Sequence, residues 1–193
     1  MYSRKRQSLI CRRLPHGFTL VELMIGLAIA GIIATIAIPS FESTVNSNRL
    51  AGQANELISA MSLARTEAVK NNARVTLCRS ADNTSCSSGS GHWEGWLVFI
   101  DADRDGEVDN DETILLSNLT EPRIQLDAST SIVDLDNLIS FKPDGTVRGP
   151  NAGDLLSGNI SLCIDGVGEN IRNISILPGG SFSVESSSGS CNP

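Results

Sequence analysis

Catalytic equipment is scarce in this chain of 193 residues. It has two histidines, His16 ahead of the long apolar run and His92 in a Ser/Gly-rich loop, so His92 alone is left to serve any triad in the globular part. No GxSxG elbow accompanies the many serines. No P-loop and no dinucleotide-binding glycine pattern is present. No CxxC pair occurs, and the long cysteine spacings disfavour a zinc site. Enzymatic function is therefore not expected, and His92 reads as a solvent-exposed loop residue. Acids are missing from residues 1–17, which carry Arg4, Lys5, Arg6, Arg12 and Arg13. Bases are sparse in the rest. The whole chain has 15 Lys+Arg against 22 Asp+Glu, and without those five it has ten against 22, a net of −12. Such an acidic body is a poor general binder of nucleic acid or of an anionic membrane surface.

What is present begins with one long apolar run. Residues 18–38 read FTLVELMIGLAIAGIIATIAI, with Glu22 as the one charge. About 20 apolar residues span a hydrocarbon core as a helix. The basic flank places the N-terminus in the cytoplasm and the bulk of the chain outside. An ordinary secretory signal has a shorter apolar core followed by a small-residue cleavage site. Here the run is longer, and its A-x-A (residues 28–30) falls inside it. A carboxylate near the start of such a run calls for a partner, or else snorkels to the interface.

The residues Gly17-Phe18-Thr19-Leu20-Val21-Glu22-Leu23, with the basic leader before them and Pro39 at the end of the run, resemble the class III signal of type IV pilins and type II secretion pseudopilins. The resemblance implies cleavage by a prepilin peptidase after Gly17 and N-methylation of the new Phe18 amine. It implies that Glu22 neutralises the Phe18 amine of a neighbouring subunit in a filament. Stranding either charge in a low dielectric is costly, so such a pair can set the axial step of assembly.

Downstream, Leu50, Ala54, Leu57, Ile58, Met61, Ala64, Ala68 and Val69 recur at three- and four-residue steps, one helical stripe expected to lie under the chain's own sheet. Asn71-Asn72 is a plausible stop. Short strands are expected at residues 74–79, 95–101, 112–117, 123–126, 138–142, 159–164, 171–177 and 181–185, separated by Asp-Gly, Asp-Asn and Pro-Gly-Gly turn signals. The expected organisation is a cleaved leader (1–17), a transmembrane and assembly helix (18–39), an amphipathic helix (40–73) and an extracytoplasmic β-rich domain (74–193). This is an α+β fold, a long N-terminal helix packed on antiparallel sheet. Cys11 is lost with the leader. Four cysteines remain in an exported domain and allow three pairings. The expected one is Cys78–Cys86, closing a polar loop, with Cys163–Cys191, tying down the tail.

The stretches 62–80, 92–115, 141–147 and 160–166, with Cys191, are similar to the GspH/FimT branch of minor pilins and pseudopilins. That resemblance implies a structural subunit of a type II secretion pseudopilus or type IV pilus, acting in filament assembly, initiation and protein secretion. Its partners would be other pilins, the prepilin peptidase and the bacterial inner membrane, with the domain on the periplasmic side. DNA-uptake members of the branch carry a basic GRxR-like stretch where this chain has Gly179-Gly180-Ser181-Phe182, so nucleic acid is not an expected partner. The alternatives are a DNA-uptake minor pilin, or a membrane-anchored calcium-binding domain that does not polymerise.

One further motif is chemically specific. Residues 101–112 fit the calcium loop D-x-D-x-D-G-x-x-D-x-x-E. The implied ligands are Asp101, Asp103, Asp105, Glu107 through its carbonyl, Asp109 and Glu112. The flanks read as strands, so this would be a hairpin loop and not an EF-hand. The alternative is an acidic, solvated turn.

Overall fold

A computed structural model describes residues 17–109, 113–119, 121–149, 155–166 and 168–191, without the side chains of residues 36–40 and 113. The leader before Gly17 lies outside the described residues, and so does Glu112. The chain divides into two units, Met1–Ser40 and Phe41–Pro193. Helix α1, Leu20–Asn71, contributes to both.

In the first unit every described side chain from Gly17 to Thr35 is exposed. Among the described residues no helix is long and apolar enough to cross a membrane. The apolar run continues into residues 36–38, whose side chains are not described.

The second unit begins with the remainder of α1. Leu50, Ala54, Leu57, Met61, Ala64 and Ala68 are buried, at steps that alternate between four and three residues. Such steps keep side chains on one face of a helix. Ala60 is buried too. Val69 departs from the expected stripe. It is 54% exposed, because it lies about 100° around the helix from the buried Ala68. The helix stops as its asparagines suggest. Asn72 takes a left-handed φ of 51°, and the Ala73 amide donates to the Ala68 carbonyl at 3.3 Å. That is the Schellman closure, at a residue type that tolerates the conformation.

Among the described residues nine strands follow. They are β1 (Arg74–Arg79), β2 (Gly95–Asp101), β3 (Thr113–Asn118), β4 (Gln125–Ala128), β5 (Leu138–Phe141), β6 (Val147–Arg148), β7 (Gly158–Cys163), β8 (Ile171–Ile176) and β9 (Phe182–Ser187). A short helix α2, Thr130–Val133, lies between β4 and β5. One sheet has the order β3-β2-β1-β5-β6 and the other β4-β7-β8-β9. Every pairing is antiparallel. Two short elements, α2 and β6, were not expected from the sequence. β4 starts two residues later than expected, because Glu121 gathers the backbone and guanidinium of Arg123 into a turn at 3.4 and 2.9 Å.

Both sheets share one core with the helix. Val75, Val98 and Phe141 from one sheet, and Leu126, Leu162 and Ile174 from the other, join the α1 stripe in a single buried cluster. Full burial of such a side chain contributes roughly 1.5–3 kcal/mol. A smaller cluster forms from Cys78, Leu97, Phe99 and Leu138, with Cys86 and Val108 packed against it. The 78–86 loop and the β2–β3 loop thus supply hydrophobic cover for residues of β1, β2 and β5.

Candidate functional site

Two places carry the chemistry singled out by the sequence. The first is the start of α1. Thr19 Oγ1 accepts the Glu22 amide at 3.2 Å. Glu22 Oε2 accepts the Thr19 amide at 3.3 Å and the Thr19 hydroxyl at 3.2 Å. This reciprocal pair is a capping box, which satisfies two of the orphan donors of a helix start. A negative charge there also opposes the positive end of the helix dipole. The pattern Thr-x-x-Glu before an apolar run could have been read from the sequence. It gives Glu22 a role within its own chain. Phe18, just ahead of it, is 82% exposed.

The second place is the β2–β3 loop. Asp101 ends β2 and is 1% exposed. The Arg74 guanidinium donates to its Oδ2 at 3.2 Å, from the facing residue of β1. The Thr76 hydroxyl lies 3.5 Å from the same oxygen and 2.9 Å from the Ser140 hydroxyl. Oδ1 of Asp101 is buried and, among the described residues, has no hydrogen-bond partner. An unsatisfied buried polar atom costs about 1–3 kcal/mol.

Beyond Asp101 the chain turns sharply. Arg104 and Gly106 take left-handed φ of 73° and 81°. At Gly106 a Cβ would press on Leu138 at 3.0 Å, so glycine suits both the conformation and the space. Asp103 and Asp105 are exposed. One carboxylate oxygen from each of Asp101, Asp103 and Asp105 lies within 4.8 Å of the others. The Glu107 amide donates to Asp105 Oδ1 at 2.8 Å. Glu107 and Asp109 are exposed. At the base of the hairpin the β2–β3 register slips between Val98 and Phe99, which fits a bulge.

Other sequence features find definite places. The disulfides are Cys78–Cys86 and Cys163–Cys191, with Cα separations of 5.7 and 5.3 Å. His92 is exposed in its loop as expected, and its Nδ1 lies 2.6 Å from Asp127 Oδ1 on β4, a pairing across 35 residues that sequence spacing does not reveal. The Gly179-Gly180 turn between β8 and β9 is bound by Arg65 of α1, which donates to both carbonyls at 3.2 and 2.8 Å. Gly180 has a φ of 75°, and a Cβ there would collide with the Gly145 carbonyl oxygen. A side chain is therefore excluded at that position.

Comparison with known proteins agrees with this architecture. Residues 53–180 match the family model described as type II transport protein GspH. The chain belongs to the GspH family. Residues 12–38 match the prokaryotic N-terminal methylation motif. As a GspH-family member with that motif, the chain is a minor pilin or pseudopilin, a structural subunit of a type II secretion system or type IV pilus. Its α+β fold is similar to that of the type IV minor pilin FimU from Pseudomonas aeruginosa. Identity to FimU is 18% and the TM-score 0.53, over 72% of this chain and 90% of that one. The minor pseudopilin EpsH of the Vibrio cholerae type 2 secretion system matches at 12% identity and a TM-score of 0.47, over 72% of this chain and 97% of EpsH. No curated protein sequence matches the chain.

Proposed function

We propose that the subunit is held in the bacterial inner membrane by residues 18–39, with its leader in the cytoplasm and its β-rich domain outside. A prepilin peptidase cuts after Gly17, and the freed Phe18 amine is methylated. Glu22 then exchanges its contact with Thr19 for the ammonium of a neighbouring subunit. The subunit enters the initiating part of a filament of related pilins, and no reaction is catalysed.

The observation that carries this is the exposure of α1 up to Thr35. Leu20, Val21, Leu23, Met24, Ile25 and Leu27 are all exposed, so the apolar surface surrounds the helix. A helix apolar all round requires lipid or other protein on every side. The capping box supports it as well, since it sets the Glu22 carboxylate one turn from the cleavage junction. Two disulfides suit an oxidising compartment. Nucleic acid has no place in the proposal, because the exported part is acidic and the β8–β9 turn admits no arginine at position 180.

The Glu22→Gln variant tests the pairing. Glutamine preserves a capping box but cannot neutralise an ammonium. The expected result is normal expression and processing with loss of filament incorporation. Mass spectrometry of the wild-type protein should show an N-terminus at methylated Phe18. A mature chain retaining residues 1–17, or a Glu22→Gln subunit incorporated like wild type, overturns the proposal.

A further inference from the structure

We propose that the β2–β3 loop is a calcium site built on the carboxylates of Asp101, Asp103 and Asp105. The site is independent of the filament role. Two oxygens bound to one calcium, each at about 2.3–2.6 Å, lie at most about 5 Å apart. The three carboxylates meet that limit, with an oxygen from each within 4.8 Å of the others. Their spacing alone would describe any acidic turn. The deciding observation is Asp101, whose side chain is fully buried. Arg74 holds its Oδ2, and Oδ1 has no hydrogen-bond partner among the described residues. A bound cation supplies the partner that this oxygen lacks.

The donor set selects the ion. It is all oxygen, and the nearby Cys78 and Cys86 are consumed in a disulfide, so zinc is disfavoured. Calcium accepts irregular oxygen ligation from a loop, whereas magnesium demands a near-ideal octahedron. Two cations oppose the site. Arg74 touches Asp101, and Arg104 lines a cavity with Arg74 and Lys142. Three carboxylates against this background point to the weak range of extracellular modules, a Kd of roughly 0.1–1 mM. Bound calcium draws Asp103 and Asp105 onto the end of β2 and stiffens the hairpin at the edge of its sheet.

The test uses the full chain in detergent micelles. Equilibrium dialysis with radioactive calcium should show about one ion retained per chain. Melting in about 10 mM calcium should be roughly 3–6 °C above that in excess chelator, for a Kd near 1 mM. The same concentration of magnesium should give less than half the shift. Asp103→Asn combined with Asp105→Asn should abolish both retention and shift while melting normally in chelator, since both residues are exposed. Asp101→Asn serves as a second variant and should also lose retention. Absence of retained calcium in the wild type overturns the site. So does retention that persists in the double variant.

Discussion

Two stretches of α1 make an instructive contrast. Residues 20–35 and residues 50–68 are both helical and both rich in leucine and alanine. In the first, apolar residues occupy every side, and all described side chains are exposed. In the second, apolar residues fall on one face, and that face is buried with both sheets. Arg65 lies off that face and donates to the Gly179 and Gly180 carbonyls, whereas Gln53, itself buried, donates to Glu56 Oε2 at 2.8 Å. The difference shows that helical propensity alone does not decide what covers a helix. The angular distribution of apolar residues does. A stripe can be satisfied by one domain, whereas a full apolar circumference needs surroundings on all sides.

Truncation should break this contrast most sharply. Leu57→Ala removes a fully buried side chain and should cost the β-rich domain about 2–5 kcal/mol, measured by denaturant unfolding in detergent. Ile29→Ala should leave that transition within about 0.5 kcal/mol, since Ile29 is exposed in the other unit. Equal effects would mean that residues 20–35 are part of the domain's cooperative unit.

The disulfides sharpen the contrast within the second unit. Cys163–Cys191 closes a separation of 28 residues and Cys78–Cys86 one of 8. In the loop-entropy picture their removal as paired serine variants costs about 3.6 and 2.6 kcal/mol respectively. Thermal melts of the two double variants should therefore differ, with the Cys163/Cys191 variant the weaker. The unreduced wild-type domain should show no alkylatable thiol.

The smallest expected effect is on pH dependence. Asp82, inside the Cys78–Cys86 loop, accepts the amides of Thr84 and Ser85 at 2.8 and 2.9 Å. These amides, with the Ser85 hydroxyl, hold its carboxyl well below the usual carboxylate range. A depressed folded pKa contributes stability that is complete above the unfolded value, about 3.9, and lost as pH falls toward the folded one. Asp82→Ala should lower the melting temperature slightly at pH 7. The gap from wild type should narrow only below about pH 3.9. A gap unchanged down to pH 2 would show that the charge of Asp82 adds nothing to the turn.

The sequence by itself determined a good deal. The class III signal and the GspH-like stretches pointed to the family. The α1 stripe, both ends of β1 and β2, and the two disulfides were legible because each depends on short-range periodicity, turn residues or loop closure. The Thr19–Glu22 capping box is legible as well, as Thr-x-x-Glu ahead of an apolar run. The carboxylates of residues 101–105 could be counted from spacing, but their state could not. Only tertiary structure decided that Arg74, from the facing strand, takes one oxygen of Asp101 and leaves the other buried and unpaired. Only tertiary structure brought His92 to Asp127 and Arg65 to the Gly179-Gly180 carbonyls. It also added the two-residue strand β6 beside β5. These outcomes depend on pairings between residues far apart in the chain. Such contacts are set by the packing of sheets on helix, and no local pattern encodes them.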